Sequence, residues 1–106
     1  MFQAAVNTGH QGCFLIDTGG SELILDTDFA RQAKAIEFGS EEGTFAGGAS
    51  ASYVHGRIDS FEVGGLTVKD LPVHLMDTQR FLAVAPGRTV SGIIRLGLLR
   101  VLLRVA

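Results

Sequence analysis

The feature that most constrains the fold is a short apolar run that ends in a carboxylate and a glycine turn, Phe-Leu-Ile-Asp-Thr-Gly-Gly-Ser at residues 14–21. Residues 14–16 include no polar side chain, which is typical of a strand covered on both faces. An ionised Asp17 at the end of such a strand is costly unless it is hydrogen-bonded. Gly19 and Gly20 allow strained backbone conformations and close approach of other groups. The segment therefore presents one carboxylate on a tight loop.

Size and composition indicate one small globular domain. With 106 residues the chain can bury a modest core but is too short for two domains, so we expect a single domain over residues 1–106. A hydrophobic fraction of 46% and 14 glycines favour a compact, turn-rich fold. The 9 basic and 11 acidic residues leave a net charge of −2, so neither nucleic acid nor an anionic membrane is expected as a partner.

Cysteine usage gives only a default for the compartment. The one cysteine, Cys13, cannot form an internal disulfide, and the sequence shows neither a cationic leader nor a long apolar span. We interpret Cys13 as a small packing residue because no local His or oxyanion hole would activate it as a nucleophile. The localisation is therefore unknown, and cytoplasmic by default.

Apolar runs separated by turn residues predict a β-rich chain. Strands are predicted over residues 2–6, 13–17, 22–25, 53–55, 58–63, 66–68 and 70–76. A short helix is predicted over residues 28–34, capped by Asp26 or Thr27. Pro72 is predicted to lie at a strand start or edge, because it cannot donate to a sheet. Asp77 is interpreted as a turn or cap residue.

The segment around Asp17 resembles the Asp-Thr-Gly motif of aspartic proteases, and the chain is similar in size to their retropepsin-like branch. That resemblance implies an all-β fold, a small closed retropepsin-like (acid protease) barrel with one or two short helices and a flap hairpin. It implies that Asp17 is the catalytic carboxylate, that Thr18 braces paired loops, and that Gly19 allows their close approach. The resemblance covers residues 2–99, and only the Asp17 segment is specific.

The resemblance also implies a homodimer, because the chain has a single Asp-Thr-Gly motif. An aspartic endopeptidase hydrolyses peptide bonds with water activated by two carboxylates that share a proton. The second Asp17 must then come from a two-fold mate. Peptides or proteins are the expected substrates, and neither a metal nor another cofactor is implied. The alternatives are a catalytically inactive retropepsin-like module for peptide binding or dimerisation, and a structural β domain without a ligand.

The substrate-binding residues are also implied by the resemblance. A glycine-rich stretch at residues 43–56 lies where the family has its flap, with a hairpin tip that contains Ala46, Gly47, Gly48 and Ala49. An ordinary surface hairpin is the competing interpretation. Leu23 and Ile94 are expected to line apolar pockets. The three histidines have no metal-ligand spacing, so we expect structural or surface roles for them.

A late segment, residues 89–99, resembles the apolar-apolar-Gly element of the family and departs from it twice. Arg95 stands where a glycine is usual, and Gly97 stands where Asp or Asn is common. Arg95 either points outward or widens the region beneath the catalytic loop; if it points inward, the cation favours the ionised form of Asp17. Leucines in residues 98–105 predict a helix, with a terminal strand as the competing interpretation. They make a subunit interface plausible.

Overall fold

The computed structural model of the chain describes residues 2–44, 50–78 and 90–105. The strands in these ranges are β1 (Phe2–Val6), β2 (His10–Asp17), β3 (Leu23–Asp26), β4 (Ile36–Thr44), β5 (Ser50–Val63), β6 (Leu66–Met76) and β7 (Gly92–Arg95). The helices are α1 (Thr27–Gln32) and α2 (Leu96–Val105). The C-terminal segment, for which the sequence left both a helix and a strand open, is thus a helix.

Six of these strands form a closed barrel. The strands are hydrogen-bonded in the order β1-β2-β7-β3-β6-β5-β4, and β1 also pairs with β5, so β1 to β3 and β5 to β7 close on themselves while β4 extends outward from β5. The β2–β7 and β3–β6 pairs are parallel, and the remaining pairs are antiparallel. The predicted all-β closed barrel with short helices is confirmed.

Two hairpins follow the turn signals of the sequence. β1 and β2 pair as predicted, although β2 begins already at His10, so the turn is shorter than the sequence suggested. Gly64 and Gly65 connect β5 to β6 with φ angles of 54° and 85°, a backbone region that favours glycine. The tip of the β4–β5 hairpin, residues 45–49, lies outside the described residues.

The core fills the barrel and is built around aromatic side chains. Phe14 on β2 is fully buried and contacts Phe2, Phe29 and Phe61 at ring-centroid distances of 5.9, 6.2 and 5.5 Å. Around these rings lie aliphatic side chains that are at most 2% exposed, namely Val6, Leu23, Leu25, Ile58, Val73, Leu75 and Ile94. Phe14 therefore anchors the strand that ends at Asp17 in the core. The expectation that residues 14–16 are covered on both faces is wrong, because Leu15 is only partly buried and Ile16 is 56% exposed.

The prediction that Pro72 lies at a strand start or edge is wrong. Pro72 is in the interior of β6, and β6 lies between β3 and β5. Pairing with β3 begins only at Val73, so the missing N–H of Pro72 falls just before that ladder.

Among the described residues, no helix is long and apolar enough to cross a membrane.

Candidate active site

Asp17 is placed by the strand register of the barrel. It is the last residue of β2, and in the parallel β2–β7 pair its register partner is Arg95, the last residue of β7. Registered residues of neighbouring strands project to the same side of a sheet. The carboxylate and the guanidinium therefore meet where both strands end, and Arg95 points inward rather than outward.

The Asp17 carboxylate has one hydrogen-bond donor on each oxygen. The backbone N–H of Gly19 donates to Oδ1 over 3.3 Å, and Nη1 of Arg95 donates to Oδ2 over 2.6 Å. The second contact is a short, charge-assisted hydrogen bond, which is stronger than a bond between neutral groups. The side chain of Asp17 is nevertheless 45% exposed, while that of Arg95 is 17% exposed. A partly exposed carboxylate is thus hydrogen-bonded to a mostly buried guanidinium.

Glu22 is the second acidic partner of Arg95, and it was not among the residues that the sequence indicated for the site. Nε of Arg95 lies 3.3 Å from Oε1 of Glu22, close enough for an ion pair, but its N–H makes no well-directed hydrogen bond. The other oxygen, Oε2, accepts the backbone N–H of Ser21 over 3.1 Å. The signal that could have identified Glu22 is the cation at position 95, which needs a compensating carboxylate once it points inward.

The loop after Asp17 is fixed against the start of α2. The backbone N–H of Gly97 donates to the carbonyl oxygen of Gly20 over 3.2 Å, and Arg95 N–H donates to the carbonyl of Glu22 over 3.2 Å. A Cβ atom at position 97 would lie 2.7 Å from the carbonyl oxygen of Gly20, closer than real contacts allow. The loop after Asp17 approaches position 97 so closely that only a glycine fits there without a shift of the backbone.

Of the other residues expected at the site, two are exposed beside Asp17, two are buried in the core, and four lie outside the described residues. Thr18 and Gly19 are exposed at the end of the barrel, next to the carboxylate. Leu23 and Ile94 are register partners in the β3–β7 pair and are fully buried in the core of this chain. Four expected flap residues fall outside the described ranges: Ala46, Gly47, Gly48 and Ala49.

A second aspartate, Asp26, lies at the end of β3 and is the predicted helix cap. It is 7% exposed, and its Oδ2 accepts the backbone N–H of Phe29 at the start of α1. Its Oδ1 accepts the backbone N–H of Thr78 over 3.1 Å and lies 3.1 Å from the Thr78 hydroxyl. That hydroxyl also lies 2.6 Å from the Val90 carbonyl, so two acceptors share its one proton. Asp26 therefore joins three segments of the fold.

A cavity of about 310 Å³ opens beside the Glu22 end of the ion pair. It is lined by residues from the catalytic loop, the β4–β5 hairpin, β6 and α2, including Ser21, Phe38, Val73 and Leu98. Phe38 is 65% exposed, an unusual position for a large aromatic side chain. The cavity has the size of a pocket for a side chain or a short peptide segment.

The histidines and acidic residues do not form a metal site in the described part of the chain. His55 and His74 are paired across β5 and β6 with ring centroids 4.9 Å apart. Within residues 2–44, 50–78 and 90–105, no three or more His, Cys, Asp or Glu side chains converge as metal ligands would.

The closed barrel and the Asp-Thr-Gly loop at its end are features of aspartic proteases. The profile of the aspartyl protease family matches residues 2–98, and the chain belongs to that family. Among solved structures, the fold is similar to that of a retropepsin-like aspartic protease from Rickettsia conorii. The TM-score is 0.60 at 16% identity, over 93% of this chain and 67% of the other. No curated protein shows a significant match.

Proposed function

We propose that the chain is an aspartic endopeptidase whose active site forms between two copies of Asp17 in a homodimer. The observation that carries the proposal is the placement of Asp17 at the end of a barrel strand that Phe14 anchors in the core. Its side chain is 45% exposed, and its carboxylate is oriented by the Gly19 N–H, which donates to it over 3.3 Å. Membership of the aspartyl protease family supports peptide-bond hydrolysis as the reaction.

The proposed chemistry needs two carboxylates that carry one proton between them. One Asp17 takes a proton from a water molecule while the water oxygen attacks the carbonyl carbon of the peptide. The partner's Asp17, protonated, donates to the carbonyl oxygen, and a tetrahedral diol forms. The C–N bond then breaks as the nitrogen takes up a proton from one carboxyl group and a hydroxyl of the diol gives its proton to the other carboxylate. A carboxylic acid and an amine leave, and the pair again holds one proton. Two carboxylates in contact share one proton because both cannot easily be ionised.

A second copy of the chain is the proposed source of the second carboxylate. The loop that presents Asp17 is uncovered in the single chain: Thr18, Gly19 and Gly20 are exposed. Ile16, the residue before Asp17, is 56% exposed although its strand neighbour Phe14 is fully buried. A two-fold mate would cover these groups and bring the same loop from the other side.

Extended peptides with bulky apolar residues near the cut are the proposed substrates. β4 of the β4–β5 hairpin lies at the edge of the sheet, where an extended peptide can add as a strand. The role proposed for residues 46–49 as the closing flap follows the family pattern. Leu23 and Ile94, which that pattern would place in pocket walls, are fully buried and shape the site only from beneath. The cavity of about 310 Å³ beside Glu22 offers room for one apolar side chain.

The proposal is tested by incubating a mixed peptide library with the wild type, Asp17→Asn and Asp28→Asn. The last variant is the matched control, because Asp28 is an exposed residue in the first turn of α1. We expect cuts by the wild type and by Asp28→Asn, and at least about a 1,000-fold loss in Asp17→Asn, since the dyad acts as a unit. Cuts that persist in Asp17→Asn would overturn the proposal.

A peptide-binding or dimerisation module without catalysis is the second candidate, and one observation favours it. The 2.6 Å bond from Arg95 occupies the carboxylate that would otherwise share a proton with its mate. This module would bind library peptides as a folded dimer and leave them intact. Mass spectrometry of the library after incubation separates the two functions, because retained but uncut peptides support the module.

A further inference from the structure

The position and contacts of Arg95 indicate a role for it at the reactive carboxylate. Its guanidinium lies directly over the catalytic loop: a Cβ atom at Gly19 would be 3.2 Å from Nη1. The same guanidinium is bonded to Asp17 over 2.6 Å and lies 3.3 Å from Glu22. One cation is therefore shared by two carboxylates, and only Asp17 belongs to the proposed dyad.

The contact with Asp17 occupies an oxygen that hydrolysis needs. Nη1 of Arg95 donates to Oδ2 over 2.6 Å, so this oxygen is engaged with the guanidinium rather than with the mate's carboxylate or a substrate. In a homodimer each Asp17 would bring its own Arg95, so both carboxylates would be engaged in the same way. Neither would then be placed to share a proton with the other or to donate to the scissile carbonyl.

We infer that Arg95 is an internal lock on the active site, holding Asp17 in an ion pair that must open before the Asp17 dyad can work. This inference rests on the proposed protease function and adds a regulatory residue to it. In the locked arrangement Nη1 is on Asp17; in the open arrangement the guanidinium is held by Glu22 alone.

Glu22 is suited to be the acceptor in the open arrangement. The Nε–H of Arg95 is buried and lacks a well-directed hydrogen bond in the locked arrangement, although Oε1 of Glu22 is within 3.3 Å. A small rotation of the guanidinium toward Glu22 would satisfy this donor and leave Asp17 free. Buried donors without a partner are costly, so the rotation compensates part of the lost contact with Asp17. Backbone bonds hold the loop to β7 and α2 in either arrangement.

The lock predicts effects of opposite sign for its two flanking substitutions. Arg95→Gln removes the cation from Asp17, and we expect kcat on a cleaved library peptide to rise about tenfold or more, the factor that corresponds to one charge-assisted bond. Glu22→Gln removes the competing negative charge and leaves Arg95 on Asp17, so kcat is expected to fall. KM is expected to change little in both variants.

Control variants separate the lock from a structural role. Arg95→Lys keeps a positive charge but not the planar fork that reaches both carboxylates, so its kcat is expected to lie between those of the wild type and Arg95→Gln. In the double variant Glu22→Gln/Arg95→Gln the loss due to Glu22→Gln disappears, because no cation remains to be redirected. Arg31→Gln, which removes an exposed ion pair with Glu37 at 3.4 Å, is the matched control for loss of an arginine and is expected to leave kcat unchanged.

The outcomes distinguish failure of the lock from failure of the proposed function. If the wild type cuts in an Asp17-dependent manner and Arg95→Gln is folded but no faster, the lock is overturned while the protease survives. If Glu22→Gln raises kcat, the lock is also overturned, even where Arg95→Gln does not fold. If neither the wild type nor any Arg95 variant cuts as a folded dimer, the protease proposal itself fails. Activity that appears only in Arg95→Gln supports both.

Discussion

Asp17-Thr18 and Asp26-Thr27 are the same dipeptide at the ends of β2 and β3, but they have different surroundings. Asp26 is 7% exposed, and its carboxylate accepts backbone N–H groups of Phe29 and Thr78. The side chain of Asp17 is 45% exposed, and its carboxylate is held by one backbone N–H and one arginine. One carboxylate is fixed inside the fold, whereas the other is available to a partner.

The difference arises from the residues that follow each pair. After Asp26-Thr27 the chain enters α1, so the carboxylate caps a helix and is covered by it. After Asp17-Thr18 come two glycines, which continue as an exposed loop held against β7 and α2 by backbone bonds. An aspartate at the end of a strand is thus enclosed in the fold or left accessible according to whether its next residues cover it.

The largest effect on stability is expected from removing the buried carboxylate. Asp26→Ala takes the acceptor away from the cap and from Thr78, so we expect a loss of about 3 kcal/mol in the free energy of unfolding. Asp17→Ala, the matched variant at the exposed pair, is expected to change it by no more than about 1 kcal/mol. Urea denaturation of both variants measures the contrast, and equal losses would refute the distinction drawn between the two aspartates.

A smaller effect is expected from crowding the loop that presents Asp17. Gly97→Ala places a Cβ atom 2.7 Å from the Gly20 carbonyl oxygen, so we expect a destabilisation of about 1–3 kcal/mol. The same change at Gly39, where a Cβ atom would meet nothing within 4 Å, is expected to cause no loss. Thermal unfolding compares the two variants. A neutral Gly97→Ala would show that the loop is not held closely against α2.

Much of the fold could be predicted because local patterns and tertiary packing agree. The apolar run before Asp17 forms a strand, the Gly64-Gly65 turn joins two strands, and Asp26 caps α1. Asp17 itself could be found because a carboxylate that follows three apolar residues and precedes two glycines is unusual. Each of these signals depends on residues that are close together in the sequence.

The parts that were missed depend on pairing between distant segments. The register that brings Arg95 to Asp17 joins residues 78 positions apart, so the sequence left the direction of Arg95 open. Glu22 was missed because its role as an ion-pair partner depends on Arg95, which lies far from it in the sequence. Thr78, which bonds to Asp26 across 52 positions, carries no motif of its own. The position of Pro72 was predicted wrongly because pairing with β3 begins in the interior of β6. That point cannot be recognised without knowing the neighbouring strand.

The most direct test of the central claim mixes wild-type and Asp17→Asn chains at constant total concentration, high enough for dimers and long enough for exchange. If one Asp17 from each of two chains forms the site, mixed dimers are inactive and activity follows the square of the wild-type fraction, leaving about a quarter at an equal mixture. A linear decrease, with about half of the activity left, would show that each chain acts alone and would contradict the shared site.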